Sequence, residues 1–184
     1  MRYWAMSQDQ PDTSLGQYLE HSQAVWGAAF SKTSANEFAS VSQDQLLKLW
    51  DNRQTKSTST ARVLSTPRSV SFSAGNSVAV GCEDGHVVIY DARSMDAPVA
   101  TILQHKRRVT AVSFAPSSDL LATTSNDRGV SVIDANGKAA VYSNNEHTDV
   151  VRGVTWNQTV PSRFYAVSWD GYVSEHIVPS ERVA

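Results

Sequence analysis

Val109-Thr-Ala-Val-Ser-Phe114 has three counterparts in the chain: Val25-Trp-Gly-Ala-Ala-Phe30, Pro67-Arg-Ser-Val-Ser-Phe72 and Val151-Arg-Gly-Val-Thr-Trp156. The closing aromatics Phe30, Phe72, Phe114 and Trp156 stand 42 residues apart by subtraction of their numbers. A period of about 40–45 residues with strand-like segments is the spacing of propeller blades. Each phrase is rich in β-branched and aromatic residues and is bounded by turn formers, the pattern of a half-buried strand. Helix-period stripes are absent. In the third unit the pattern predicts strands near Val109 to Phe114, Leu120 to Thr124, Val130 to Ile133 and Ala139 to Tyr142, with turns at Pro116-Ser-Ser-Asp119, Ser125-Asn-Asp127 and Asn136-Gly137. Four strands make one sheet with two faces to bury and two open edges, so such a unit is stable only when others cover it.

Nine residues before each aromatic stand His21, Val63, His105 and His147, and twelve to fourteen after it Asp44, Asp84, Asp127 and Asp170. Six further on come Trp50, Tyr90, Ile133 and His176, the first three followed by aspartate. This register resembles the WD-repeat family across residues 21 to 178, most fully in Ser42-Gln43-Asp44 and Trp50-Asp51. The resemblance implies an all-β WD-repeat β-propeller, here an incomplete arc of about four four-stranded blades. Its units are 21–62, 63–104, 105–146 and 147–184, the last lacking its final strand, after a remnant of a preceding blade in 1–20. A closed seven-bladed ring of such units needs roughly 290 residues, so the chain reads as part of a propeller. The expectation is that an unclosed arc self-associates or takes its remaining blades from elsewhere.

The resemblance also implies a buried hydrogen-bonded tetrad. Its members are expected to be His21, Ser42, Asp44 and Trp50 in the first unit, His105, Ser125 and Asp127 in the third, and His147, Ser168 and Asp170 in the fourth. The second unit, with Val63 and Tyr90, leaves Asp84 to backbone or water partners. The recurrence of His, Ser and Asp in unit after unit argues against a nucleophile triad, which needs one activated constellation in one pocket. No catalytic residue is expected.

The five histidines and single cysteine lack paired-ligand spacing, and no glycine-rich phosphate loop occurs, so neither metal nor cofactor is expected. A net charge of -2, without blocks of like charge, gives no basis for nucleic-acid binding. No apolar run reaches the roughly 18 residues of a membrane span, and no export signal is seen near the start. Lone Cys82 fits a reducing cytoplasm or nucleus.

Protein partners are then the expected ligands. Two sets of positions are expected at one rim: Trp26, Arg68, Thr110 and Arg152, four before each aromatic, and the turn tips Gln43, Glu83, Asn126 and Trp169. Trp and Arg are the residue types most enriched in binding hot spots, which makes Trp26, Arg68, Arg152 and Trp169 the candidates, together with Arg107 of the basic run Lys106-Arg107-Arg108. Glu83, Asp84 and Asp127 are candidates for receiving arginine-rich tails.

Within the family, Val167-Ser-Trp-Asp-Gly-Tyr-Val-Ser-Glu-His-Ile-Val-Pro179 resembles the closing blade of the WD-repeat subunit of methylosomes, with His-Ile in place of Trp-Asp, and Ser42 to Arg53 resembles its central blade. That resemblance implies a non-catalytic partner of the protein arginine methyltransferase that makes symmetric dimethylarginine. It would present substrates such as histone tails and spliceosomal Sm proteins in cytoplasm and nucleus. The blades that hold the enzyme in that family lie chiefly N-terminal to the matching stretch. The alternative is a substrate-receptor propeller of a ubiquitin ligase, for which Trp50-Asp-Asn-Arg53 offers a short docking form.

Overall fold

A computed structural model describes residues 2–4, 14–137 and 139–179, with side chains described from residue 17 onward; the remnant's residues 5–13 and the fourth unit's residues 180–184 lie outside them. The described residues contain seventeen strands and no helix. Short strands β1 (Arg2–Trp4) and β2 (Ser14–Gln17) pair antiparallel. The first full sheet runs β3 (Val25–Phe30), β4 (Glu37–Ser42), β5 (Leu46–Asp51) and β6 (Ser57–Arg62), the second β7 (Pro67–Phe72), β8 (Ser77–Cys82), β9 (His86–Asp91) and β10 (Ala100–Leu103). The third holds β11 (Val109–Phe114), β12 (Leu120–Ser125), β13 (Val130–Asp134) and β14 (Ala139–Asn144), and the fourth β15 (Val151–Trp156), β16 (Arg163–Ser168) and β17 (Val173–Ile177). Every sheet pairs its strands antiparallel in chain order. The first strands β3, β7, β11 and β15 lie side by side, so the sheets stack as a propeller arc.

The stacking explains why the middle strands read as continuous apolar runs and not as alternation. Val78, Val80 and Cys82 of β8 pack with Val41, Leu47 and Leu49 of the first sheet, while Ala79 between them packs with Val109, Phe114 and Leu121 of the third. Both faces of the strand are buried, so both parities must be apolar. Leu120 and Ala122 likewise face Val151, Trp156 and Phe164. Where no described sheet covers a face, alternation returns: β3 alternates, and its aromatic Phe30 is 61% exposed although Phe72, Phe114 and Trp156 are buried.

Polar ties complement this packing. Trp156 Nε1 donates to the Ser113 carbonyl at 2.7 Å, and the Phe114 N–H donates to Ser71 Oγ at 3.1 Å. Lys32 reaches past the second sheet to donate to the carbonyls of Phe114 and Ala115, each at 2.9 Å.

The turn between second and third strands is the same in all four sheets, closing with a left-handed residue: Gln45 (φ 66°), Gly85 (φ 93°), Arg128 (φ 74°) and Gly171 (φ 87°). Gly85 has a second reason to be glycine, since a Cβ there would stand 2.1 Å from the His105 carbonyl oxygen.

Candidate functional site

The rim is built on the polar networks beneath it. His21 Nδ1 lies 2.8 Å from Asp44 Oδ2, and the Asp44 carboxylate also accepts the N–H groups of Ser22 and Leu46. His21 Nε2 meets Ser40 Oγ at 2.8 Å, and Trp50 Nε1 donates to the same hydroxyl at 2.8 Å. The network's hydroxyl is therefore Ser40 and not Ser42. Trp50 stands directly opposite Phe38 in the ladder, which makes Ser40 its diagonal neighbour on one face. Ser42 caps the turn, its hydroxyl donating to the Gln23 carbonyl and accepting the Asp44 N–H.

The same correction applies twice more. In the third sheet His105 Nδ1 lies 3.2 Å from Asp127 and Nε2 2.9 Å from Thr123, while Ser125 donates to the Arg107 carbonyl. In the fourth, His147 Nδ1 lies 2.8 Å from Asp170 and Nε2 2.7 Å from Ser174 Oγ, while Ser168 donates to the Asp149 carbonyl. Ala166 occupies the strand-two position there, and Ser174, its partner across the ladder, supplies the hydroxyl from the neighbouring strand. Ser174 then meets His176 Nε2 at 2.7 Å, and His176 Nδ1 meets the Tyr142 hydroxyl at 2.9 Å. His176 thus fills the Trp position in hydrogen bonding and in stacking, its ring centroid 4.9 Å from that of Phe164.

The second sheet replaces the network with apolar packing. Val63, Val80 and Tyr90 are buried, and a cleft of about 300 Å³ lined by Leu64, Cys82, Val88, Tyr90 and Pro98 opens beside them. Asp84 accepts the His86 N–H at 3.2 Å, and the His86 ring stands 3.0 Å away, a neighbour the sequence reading left out.

At all three histidine networks burial pushes the aspartate carboxyl up, and the hydrogen bonds outweigh it. Asp44, Asp127 and Asp170 end below the ordinary carboxylate range, held there by their histidines and by backbone N–H groups, with Asp170 at about 2.

Above these networks, the first strand of every sheet carries a bulge at one place. The register slips between Val25 and Gly27, Pro67 and Ser69, Val109 and Ala111, and Val151 and Gly153. The extra residues are Trp26, Arg68, Thr110 and Arg152. A bulged residue leaves the ladder and has its side chain re-aimed, commonly at a functional edge. Each turn tip is pinned beside its bulge: the N–H groups of Gln43, Glu83, Asn126 and Trp169 donate to the carbonyls of Ala24, Thr66, Arg108 and Val150.

The side chains form a continuous arc. The guanidinium of Arg68 lies 4.2 Å from the centroid of Trp26 and pairs with Glu83, whose other oxygen accepts from Arg108 at 2.6 Å and 2.8 Å. Thr110 donates to the Val151 carbonyl at 2.5 Å, leading to Arg152, whose guanidinium lies 5.0 Å from the Trp169 centroid. Trp26 is 48% and Trp169 66% exposed. Arg107 is exposed in the loop next to Arg108.

The acids expected to receive arginine-rich tails are largely engaged by the chain itself. Glu83 is shared by Arg68 and Arg108, Asp127 is enclosed by His105, Lys106 N–H and Gly129 N–H, and Asp84 sits against His86. Arg108 and the bulges have no signature in composition or spacing. The bridging Arg108 could have been found only as a member of its basic run. Among the described residues no group of three or more His, Cys, Asp or Glu could hold a metal ion.

The family model described as WD domain, G-beta repeat matches residues 12–51 and 96–134. The chain is similar to Methylosome protein WDR77 of Xenopus laevis, 30% identical over 187 aligned positions that cover 98% of this chain and 55% of that protein. It is also 30% identical over 138 positions to E3 ubiquitin-protein ligase COP1 of Arabidopsis thaliana, covering 74% of this chain and 20% of that one. Histone acetyltransferase type B subunit 2 of Candida glabrata is 27% identical over 132 positions, 70% of this chain and 32% of that one. The chain therefore spans about half the length of the first of these relatives and less of the others.

Proposed function

We propose that this WD-repeat chain is a non-catalytic scaffold and substrate-presenting part of a protein arginine methyltransferase complex, working in cytoplasm and nucleus. The observation that carries this reading is similarity to a methylosome protein along almost the whole chain. Stacked sheets suit the role, because a rigid arc holds rim side chains at fixed separations and lowers the ordering cost of binding. In this reading the enzyme is a partner, and arginine-rich substrates such as histone tails or Sm proteins are the cargo. Because Glu83 is taken by two arginines, an arginine-rich segment is expected to meet the exposed Glu146 and Asp149 beside the fourth sheet. Affinity purification of the full-length gene product should recover an arginine methyltransferase and its activity on Sm-type peptides. Recovery of neither removes the proposal.

A second reading, substrate receptor of a ubiquitin ligase, is favoured by the COP1 similarity and by the short form Trp50-Asp-Asn-Arg53, in which Asp51 pairs with Arg53 at 2.5 Å. The same purification separates the two, since this reading expects ligase subunits in place of methyltransferase.

A further inference from the structure

We propose that the arc of Trp26, Arg68, Arg108, Arg152 and Trp169 is a docking site for an acidic segment of a partner protein. This goes beyond the proposed function, whose cargo is basic, and does not depend on it.

Recurrence of the bulge is the first support. The sequence changes at the bulged position from Trp to Arg to Thr to Arg, yet the register slips at the same point in all four sheets. The fold thus re-aims that position whatever stands there: Trp26 and Arg152 are exposed, Arg68 is half-buried against Trp26, and Thr110 is bonded to the Val151 carbonyl.

Charge balance within the arc is the second. Three arginines face a single carboxylate, Glu83, which bridges Arg68 and Arg108. Arg152 has no carboxylate within ion-pair distance among the described residues; its guanidinium is backed by the Trp169 ring and its N–H fork is open. A guanidinium stacked on an aromatic keeps its in-plane donors free, and those donors match a carboxylate bidentately. Exposed Lys106 and Arg107 extend the positive side towards the second sheet. The neighbouring aspartates 44, 127 and 170 are drawn inward by histidine and backbone donors, and exposed Asp149, whose carboxylate accepts the Val150 N–H, forms no ion pair with Arg152.

Aromatic area is the third. Exposed Trp26 and Trp169 stand at opposite ends of the arc, each beside an arginine, so a segment that alternates acidic and apolar side chains meets both kinds of contact. A nucleic-acid strand could use the same stacking, but the chain's net charge of -2 and lone basic run do not provide the backbone-tracking positive groove that such binding requires.

The test is fluorescence anisotropy on the whole chain with three labelled probes: a peptide of alternating glutamate and leucine, its arginine–leucine counterpart, and a single-stranded oligonucleotide. The glutamate peptide should bind, more weakly as salt rises. Arg152→Glu and Trp169→Ala should each weaken it by about tenfold or more, and Glu83→Gln, which releases Arg68 and Arg108 from their internal partner, should tighten it several-fold. Thermal melts of the variants establish that they are folded; the gain in Glu83→Gln is a result that simple unfolding cannot produce. The proposal is overturned if the glutamate peptide fails to bind, if the oligonucleotide binds better, or if folded Arg152→Glu and Glu83→Gln leave its affinity unchanged.

Discussion

The indole N–H of Trp50 ends on the hydroxyl of Ser40 at 2.8 Å, and both side chains are fully buried. The same oxygen serves His21, so one hydroxyl joins two rings that come from different parts of the first repeat. Ser40→Ala leaves a buried indole donor and a buried imidazole nitrogen without partners, at a cost of about 2–3 kcal/mol. Ser42→Ala removes bonds to the Gln23 carbonyl and the Asp44 N–H, both at the edge of the turn, and should cost less, about 1 kcal/mol. Denaturant titration of both variants checks the order, and equal losses would contradict the assignment of Ser40 to the network.

Lys32 holds the carbonyls of the last residue of β11 and of the residue after it, the only described side chain that ties the first sheet to the third. Lys32→Met keeps the stem and removes the ammonium. A loss of about 1–2 kcal/mol is expected, with faster amide exchange concentrated at the loop after Phe114. Unchanged exchange there would show that the tie is dispensable.

Acid should act through the rim networks first. Asp44, Asp127 and Asp170 all titrate below the usual 3.8 in the folded chain. A carboxylate whose folded value is depressed contributes stability that is complete above the unfolded value and is lost as pH falls through the folded one. His176, whose value is lowered by burial and by nearby His147, acts in the same direction at higher pH, its protonation opposing the fold below about 6.5. Stability measured against pH should therefore decline in two stages, a shallow one below 6.5 and a steep one from about 4 towards 2. His176→Gln should abolish the first stage and leave the second.

Cys82 is fully buried between the first two sheets, and burial raises its thiol to about 12. Reaction with a thiol reagent should be slow in the native chain and should track unfolding. Labelling at the rate of a free thiol under native conditions would contradict the packing of that interface.

Much of the fold can be read from the residues because the repeat interval, the strand patterns and the turn formers are local or periodic properties. Val109 to Phe114 is a run rich in β-branched residues that ends at an aromatic, and it is a strand with those bounds. The site is legible to a lesser degree. Which serine joins the network depends on ladder register, and Ser40 and Ser42 have the same parity and the same chemistry; only the pairing of Phe38 with Trp50 separates them. Ser174 is further from view, since it replaces a missing hydroxyl from an adjacent strand.

The sequence alone determined that this chain is a stack of four similar sheets, because burying both faces of a strand demands the apolar runs and fixed intervals that it carries. Tertiary structure alone decided what the rim presents. Bulges turned Trp26 and Arg152 outward and set Arg68 against Trp26, and Glu83 was taken by arginines from two different units, Arg68 and Arg108. Side chains 25 residues apart in the chain become partners only when stacked sheets bring their edges together, and the charge left over at the rim depends on those pairings.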